Sequence, residues 1–211
     1  MKKAVALGIA LSLTLGLTVP LSTITAEAAG STATATSTKP VSYADYQTGQ
    51  YWSDSMLWAV NNGVISSYTN VKNPRTGKYE NLLRPLAPVT EAEFLSNLTR
   101  YFYPDEVKNT KSADPSFWAS VPYQLAEKYK LPTVAKMDKR YAASRPITRG
   151  KMAHILVTAH YKKPVGSGIL RFMFESKLTA SKTLLEYASQ SELKRGQMAV
   201  FFKKYDELYN Q

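Results

Sequence analysis

A short segment that recurs three times constrains this chain more than any other feature. The three copies span Pro88–Phe94, Pro146–Met152 and Glu192–Met198. In each copy a threonine or lysine is followed by a charged residue and, three positions later, by a large apolar one. Aligned this way, the charged residues are Glu91, Arg149 and Arg195. Recurrence in a fixed order predicts repeated units that pack against one another to bury their apolar faces.

Each copy is preceded by an apolar cluster at helical spacing, which predicts a second helix in every unit. The clusters are centred on Ala59, Ala126 and Phe172. From Ala59 to Thr90 the spacing is 31 residues, whereas the corresponding spacing in the other two units is 22 residues. The first unit therefore carries about nine extra residues, which we expect in the loop over residues 73–83, where Pro and Gly favour turns.

These patterns predict a mainly α-helical fold of three pseudo-equivalent helix–loop–helix units packed as one compact bundle. The predicted units cover residues 43–104, 105–163 and 164–211. Thr90 and Thr148 stand where helix N-caps belong, and Glu93 completes a capping box with Thr90. The third unit has Lys194 at the aligned position, with Ser191 as an earlier candidate cap. The apolar stripes that follow are predicted to form the core.

The first residues have the pattern of an export signal. Lys2 and Lys3 precede an apolar run, and Ala26 and Ala28 supply the small residues of a cleavage site. We predict a signal peptide over residues 1–28, with a membrane anchor as the alternative, and a flexible Ser/Thr/Ala-rich leader over residues 29–42. The chain has no cysteine, so its fold cannot depend on disulfides. We expect a secreted protein with no membrane span after cleavage.

The charge balance favours an anionic partner. The formal net charge is +11, and twelve basic residues stand against five acidic ones after residue 144. Loss of the signal peptide removes two lysines and one glutamate, so the surplus belongs to the exported part. Charge alone does not separate one specific polymer from any polyanion, such as teichoic acid or nucleic acid.

The order of the motifs resembles the S-layer homology domain of bacterial surface proteins. In the first unit the matching residues are Tyr51-Trp52, Trp58–Val60, Gly63–Tyr68, Arg84–Thr90 and Ala92–Phe94. The second unit supplies Phe117-Trp118 and Pro146–Arg149. The resemblance covers the folded region as three repeats, the usual number in that family. It implies non-covalent binding to secondary cell wall polysaccharide, often through pyruvylated sugars, at the surface of a Gram-positive-type bacterium.

The resemblance also implies a set of ligand-binding residues. For the polysaccharide these are Arg149, Arg195, Trp52, Trp118, Thr148 and Arg84. A guanidinium suits a carboxylate, a helix N-terminus favours anions, and a tryptophan ring can lie on a sugar face. The structural alternatives are that the tryptophans belong to the core and that the arginines are solvated.

The chain departs from the family pattern at several positions. Glu91 occupies the place of the family's arginine, which gives the first groove the wrong sign for an anionic sugar unless Arg84 or Lys78 compensates. The third unit lacks both the threonine and the proline that precede the arginine in the family. These departures predict a divergent member in which one of three grooves is altered.

The sequence does not favour an enzyme. His154 and His160 are six residues apart and fall on different faces of a helix, and Glu91 and Glu93 diverge too strongly for paired carboxylate catalysis. We expect a monomeric binding module without cofactor, metal or enzyme activity, whose partner is anionic cell wall polysaccharide and not nucleic acid. The alternatives are a general polyanion-binding secreted protein and a cell-wall glycoside hydrolase.

Overall fold

A computed structural model describes residues 41–137 and 140–210 of the chain. The predicted signal peptide, and the predicted leader up to residue 40, lie outside the described residues. The described part is mainly α-helical, as predicted, and contains a small two-stranded antiparallel sheet. Within these ranges no helix combines the length and the apolar character needed to cross a membrane.

The helices follow the predicted order along the chain. They are α1 (Ser53–Asn61), α2 (Glu91–Phe102), α3 (Pro104–Asn109), α4 (Ser120–Lys128), α5 (Arg149–Tyr161), α6 (Ile169–Glu175), α7 (Leu184–Tyr187) and α8 (Arg195–Tyr209), with a 3₁₀ turn at Arg140–Ala142. Helices α2, α5 and α8 begin directly after the three aligned positions of the recurring segment. Helices α1, α4 and α6 contain the three apolar clusters. The sequence did not predict helices α3 and α7.

The predicted caps of α2 and α5 are confirmed. The Thr90 hydroxyl accepts a hydrogen bond from the Glu93 amide at 3.2 Å, and the Glu93 carboxylate accepts one from the Thr90 amide at 2.9 Å. This reciprocal pair is a complete capping box. At α5 the Thr148 hydroxyl accepts a hydrogen bond from the Lys151 amide at 3.2 Å.

The start of α8 is capped differently. Lys194 occupies the N-cap, and its ammonium group cannot accept a hydrogen bond from the helix amides. The Gln197 side chain instead accepts a bond from the Lys194 amide at 3.1 Å. The alternative prediction of Ser191 as an earlier cap is wrong, because α8 begins at Arg195 and Ser191 lies three residues before its N-cap.

A cyclic set of backbone hydrogen bonds joins the three recurring segments, and we call it the backbone ring. In its first layer each donor amide belongs to one segment and each acceptor carbonyl to another: Val89 to Leu193 at 2.9 Å, Leu193 to Ile147 at 2.8 Å, and Ile147 to Val89 at 2.8 Å. A second layer forms a cycle in which the donors run around the three segments in the opposite direction: Glu91 to Arg145 at 3.1 Å, Arg149 to Ser191 at 2.9 Å, and Arg195 to Ala87 at 3.0 Å. The ring supplies acceptors for amides at the helix starts, which have no partner within their own helix.

Two glycines allow the close approach of the segments. A third layer of the backbone ring runs from Ala92 to Ala143 at 3.1 Å, and from Gly150 to Ser189 and Gly196 to Pro85, both at 2.8 Å. A Cβ atom on Gly196 would lie 2.8 Å from Cβ of Trp52, and one on Gly150 would lie 3.0 Å from the Ser189 carbonyl oxygen. Both contacts are too short for an alanine without a local shift.

The core lies around the helices that leave the backbone ring. Phe94 and Phe202 stack with their ring centroids 6.1 Å apart, and Leu98, Met152 and Met198 are fully buried beside them. The helices that contain the apolar clusters pack on a recurring-segment helix from another predicted unit. Helix α1 packs against α8, α4 against α2, and α6 against α5. Each apolar cluster therefore covers the second helix of another unit.

The extra residues of the first unit form a hairpin. Strands β1 (Tyr68–Lys72) and β2 (Tyr79–Leu82) pair antiparallel, with Val71 opposite Glu80 and Lys72 opposite Tyr79. The prediction of a loop over residues 73–83 is therefore wrong for its second half. Only the turn between the strands has the expected irregular conformation, with Gly77 at a φ of 71°.

Candidate functional site

The charged position after each cap points from one predicted unit toward the next. Glu91, Arg149 and Arg195 occupy this position at the starts of α2, α5 and α8. Their backbone amides take equivalent places in the second layer of the backbone ring. Their side chains, however, meet very different partners.

Glu91 is enclosed by donors from the second unit. Only 3% of the residue is exposed. Its carboxylate accepts hydrogen bonds from the Tyr123 hydroxyl at 2.9 Å, the Val134 amide at 2.7 Å and the Ala135 amide at 2.8 Å. Burial, followed by the Glu91 charge, raises the pKa of Tyr123. Neutral donors of the second unit surround this carboxylate, and neither Arg84 nor Lys78 is among its hydrogen-bond partners.

Arg195 is equally buried but reaches back to the first unit. The residue is 4% exposed, and its side chain donates from Nε to the Leu83 carbonyl at 3.0 Å and from Nη2 to the Ser66 carbonyl at 2.7 Å. Its guanidinium carbon lies 4.7 Å from the centroid of the Tyr68 ring. Burial lowers the pKa of Arg195. The guanidinium of Arg84 lies 4.4 Å from the same centroid, so two cations meet on one tyrosine.

A cleft of about 230 Å³ opens beside Arg195. We call it the Arg195 cleft, and it is lined by Ser66, Ser67, Tyr68, Glu93, Ser96, Asn97, Arg100, Trp118 and Arg195. Arg100 is held by hydrogen bonds to the Ser96 carbonyl and the Ser66 hydroxyl, both at 3.2 Å, and by a third to the Asn97 side chain. The Trp118 residue is 65% exposed.

The lining of the Arg195 cleft suits a small anionic ligand with an apolar face. The lining contains two guanidiniums, those of Arg100 and Arg195, and one carboxylate, that of Glu93. The Glu93 carboxylate already accepts a hydrogen bond from the Thr90 amide. Guanidinium donors pair well with carboxylate or phosphate, and an exposed indole offers a flat apolar surface. The cleft is smaller than the roughly 300–1,000 Å³ of sites for drug-sized ligands, so it fits one sugar ring or its substituent.

Arg149 has the least complete set of partners of the three. Its Nε atom is buried and has no hydrogen-bond partner in the described part of the chain. Its guanidinium lies 4.8 Å from the centroid of the Tyr187 ring, and the Tyr187 hydroxyl donates to the Arg149 carbonyl at 3.0 Å. Burial raises the pKa of Tyr187 to about 12. Burial raises the pKa of Tyr51, and the positive charge of Arg149 partly offsets this rise.

The six expected ligand-binding residues do not form one site. Trp118, Arg195 and, through Tyr68, Arg84 lie at or beside the Arg195 cleft. Thr148 instead caps α5 and lines a separate cleft of about 220 Å³ that also contains Glu91. Arg149 contacts Tyr187.

Trp52 does not fit the expected sugar-stacking role. The residue is 3% exposed and belongs to the core, where it packs edge-to-face on Tyr46 with the centroids 6.2 Å apart. Its Cβ also lies against Gly196 at the start of α8. Burial in this position leaves no free ring face for a ligand.

Sequence reasoning missed the contribution of α2 to the Arg195 cleft. Glu93, Ser96, Asn97 and Arg100 follow one another at spacings of three, one and three residues. That spacing places them on one polar face of the helix. A polar stripe beside the apolar one was the signal that could have identified Arg100.

Both histidines have structural contacts. The Nε2 atom of His154 lies 2.7 Å from the Val165 carbonyl oxygen, and Nδ1 of His160 lies 2.9 Å from the Tyr205 hydroxyl. Burial lowers the pKa of His160. Among residues 41–137 and 140–210, no cluster of three or more His, Asp or Glu side chains is placed to hold a metal ion.

No protein-family model matches the chain, and no curated protein is significantly similar to it.

Proposed function

We propose that this protein binds an anionic polysaccharide of the bacterial cell wall without covalent attachment and so docks at the cell surface. The observation that carries the proposal is the Arg195 cleft, where two guanidiniums lie beside an exposed tryptophan. In this proposal the guanidinium groups donate hydrogen bonds to the acid group of the polymer, and the Trp118 ring packs on a sugar face. Such a polymer lies outside the cell, in accord with the predicted signal peptide and secretion from a Gram-positive-type bacterium.

The proposal includes a three-repeat architecture of the S-layer homology type. The backbone ring supports it, because each of its layers connects all three recurring segments in a closed cycle of hydrogen bonds. The helices that contain the apolar clusters pack on the other units in the order of the first layer. Under this proposal Glu91 marks a groove that has become a structural joint, while Arg149 and Arg195 retain the ligand-binding position.

We propose a binding module and not an enzyme. The two carboxylates considered for glycoside hydrolysis are both engaged in the structure. Glu91 is buried and accepts three hydrogen bonds, and Glu93 caps α2. Glu91 cannot reach a substrate while it is enclosed by these bonds, and Glu93, which lines the Arg195 cleft, has no second carboxylate beside it in that lining.

The test is co-sedimentation of the protein with purified Gram-positive cell walls. Walls stripped of their secondary polysaccharide should no longer bind the protein. Trp118→Ala should weaken binding to intact walls by about two- to tenfold, the effect of about 0.5–1.5 kcal/mol of aromatic contact. Tyr141→Ala is the matched control, because that tyrosine is 71% exposed and does not line the Arg195 cleft. Undiminished binding to stripped walls would refute the proposal, as would equal affinity of the two variants.

General polyanion binding is the second candidate, favoured by the basic surplus after residue 144. For binding by charge alone, the logarithm of the binding constant should fall steeply and linearly with the logarithm of salt concentration. Such binding should also tolerate the loss of Trp118. Binding in the Arg195 cleft should retain a clear difference between wild type and Trp118→Ala at high salt. Co-sedimentation at low and high salt therefore separates the two candidates.

A further inference from the structure

A second cleft, of about 580 Å³, lies beside the β1–β2 hairpin. We call it the Tyr51 cleft, and its walls are residues 44–52, the hairpin turn at 73–76, and residues 82–87. Its volume falls within the range of roughly 300–1,000 Å³ typical of ligand sites and is more than twice that of the Arg195 cleft. It therefore has room for several consecutive sugar units.

One wall of the Tyr51 cleft is fixed by an aspartate clamp. The Asp45 carboxylate accepts hydrogen bonds from the Leu83 amide at 2.8 Å and the Arg84 amide at 2.7 Å. The Ala44 amide donates to the Asn81 carbonyl at 2.9 Å. Arg84 adopts a left-handed conformation with a φ of 52°, which costs energy for a residue other than glycine. The Asp45 clamp stabilises this conformation and so fixes where the Arg84 side chain leaves the backbone.

The opposite rim is the hairpin turn, and it is also held firmly. The Asn73 side chain accepts a hydrogen bond from the Arg75 amide at 2.9 Å, and the Asn73 amide donates to the Lys78 carbonyl at 2.7 Å. The Thr76 hydroxyl donates to the Glu80 carboxylate at 3.0 Å. A preorganised rim reduces the ordering cost of binding.

The lining has the chemistry of a saccharide site. Tyr51 is 60% exposed, and Gln47 and Gln50 place two amide side chains beside it that have no hydrogen-bond partner among the described residues. Arg75 and Arg84 contribute two cations, against the one carboxylate of Asp45, which is already occupied by backbone amides. A flat ring, amides that both donate and accept, and a positive balance suit hydroxyl groups along an acidic sugar chain.

We infer that the Tyr51 cleft is a second saccharide-binding site that takes an extended segment of the same acidic polymer, an inference that rests on the proposed function. The hairpin that forms its rim belongs to the first unit, where the connection between the two predicted helices is about nine residues longer than in the other units. The site therefore belongs to the first unit alone. Two sites on one polymer raise the overall affinity through effective concentration.

The test measures binding of fragments of several sugar units, prepared by partial acid hydrolysis of the secondary wall polysaccharide. Titration followed by NMR should shift the side-chain amide signals of Gln47 and Gln50. Tyr51→Ala should lower the affinity for these fragments by about two- to tenfold. Tyr79→Ala is the matched control, since it removes a tyrosine of the β1–β2 hairpin that is 69% exposed and does not line the cleft.

The outcomes separate this inference from the proposed function. If the Gln47 and Gln50 signals stay in place, or if Tyr51→Ala matches Tyr79→Ala, the Tyr51 cleft is not a binding site. The proposed function then still stands where Trp118→Ala weakens binding to intact walls. If the wild-type protein binds neither walls nor fragments, both proposals fail together.

Discussion

Glu91 and Arg149 hold equivalent places in the backbone ring, yet one is saturated with partners and the other is not. The Glu91 carboxylate accepts three hydrogen bonds from the second unit, whereas the buried Nε of Arg149 has no partner in the described part of the chain. A buried polar atom without a partner costs free energy. The comparison teaches that one position joins two units, while the other keeps a donor available.

Arg195 lies between these extremes. Two of its donor groups are used on the Leu83 and Ser66 carbonyls, and the residue also lines the Arg195 cleft. A guanidinium has five N–H donors, so the side chain can hold the first unit and still contact a ligand. Arg195 is therefore both a structural and a ligand-binding residue in our proposal.

The largest expected effect is at Glu91. Glu91→Ala leaves the amides of Val134 and Ala135 and the hydroxyl of Tyr123 without their shared acceptor in a buried site. We expect a loss of about 3–5 kcal/mol in the free energy of unfolding, because each unpaired buried donor costs about 1–3 kcal/mol. Urea unfolding followed by circular dichroism measures the loss.

The matched control for this variant is a surface carboxylate in an equivalent segment. Glu192 pairs with Lys194 at 2.9 Å, and both side chains are substantially exposed. Glu192→Ala should change stability by no more than about 1 kcal/mol, since exposed ion pairs contribute little. Equal losses in the two variants would show that Glu91 is not a structural joint.

The next effect separates the two arginines. Arg195→Ala removes two buried hydrogen bonds to backbone carbonyls and should cost about 2–3 kcal/mol in unfolding free energy. Arg149→Ala loses mainly the contact with the Tyr187 ring and should cost about 0.5–1 kcal/mol. Thermal and urea unfolding of both variants test the order. A larger loss for Arg149→Ala would contradict the assignment of Arg149 as the less engaged side chain.

The helix starts could be predicted because their signals are local. The Thr90 cap and its Glu93 partner lie within one turn, and the apolar stripe that follows depends on residues three or four apart. The recurrence of the three segments could also be predicted from spacing alone, whereas the hydrogen bonds that join them in the backbone ring could not. Caps and apolar stripes depend on residues within about one helical turn of each other, so the sequence alone is enough to predict them.

The fates of the charged side chains could not be predicted, because they depend on what the neighbouring unit presents. The loop that faces Glu91 offers two backbone N–H groups, at Val134 and Ala135, whereas the residues that face Arg195 offer two carbonyls, at Leu83 and Ser66. This complementarity arises only after the chain folds. The same limit explains Trp52, whose motif resembles that of Trp118 but whose ring is enclosed by the start of α8.

The smallest expected effect concerns the tyrosine beside Arg149. Burial raises the pKa of Tyr187 to about 12, against about 10 in an unfolded chain. Between these values the unfolded state has released the proton and the folded state still holds it, so stability should fall as the pH rises from about 10 to about 12.

Tyr187→Phe should cost about 0.5–1.5 kcal/mol at neutral pH, through loss of the hydrogen bond to the Arg149 carbonyl. It should also make the alkaline loss shallower than in wild type, whereas Tyr141→Phe, at a residue that is 71% exposed, should not. Unfolding free energies measured across this pH range would contradict the burial of the phenol beside Arg149 if the three proteins lost stability in parallel.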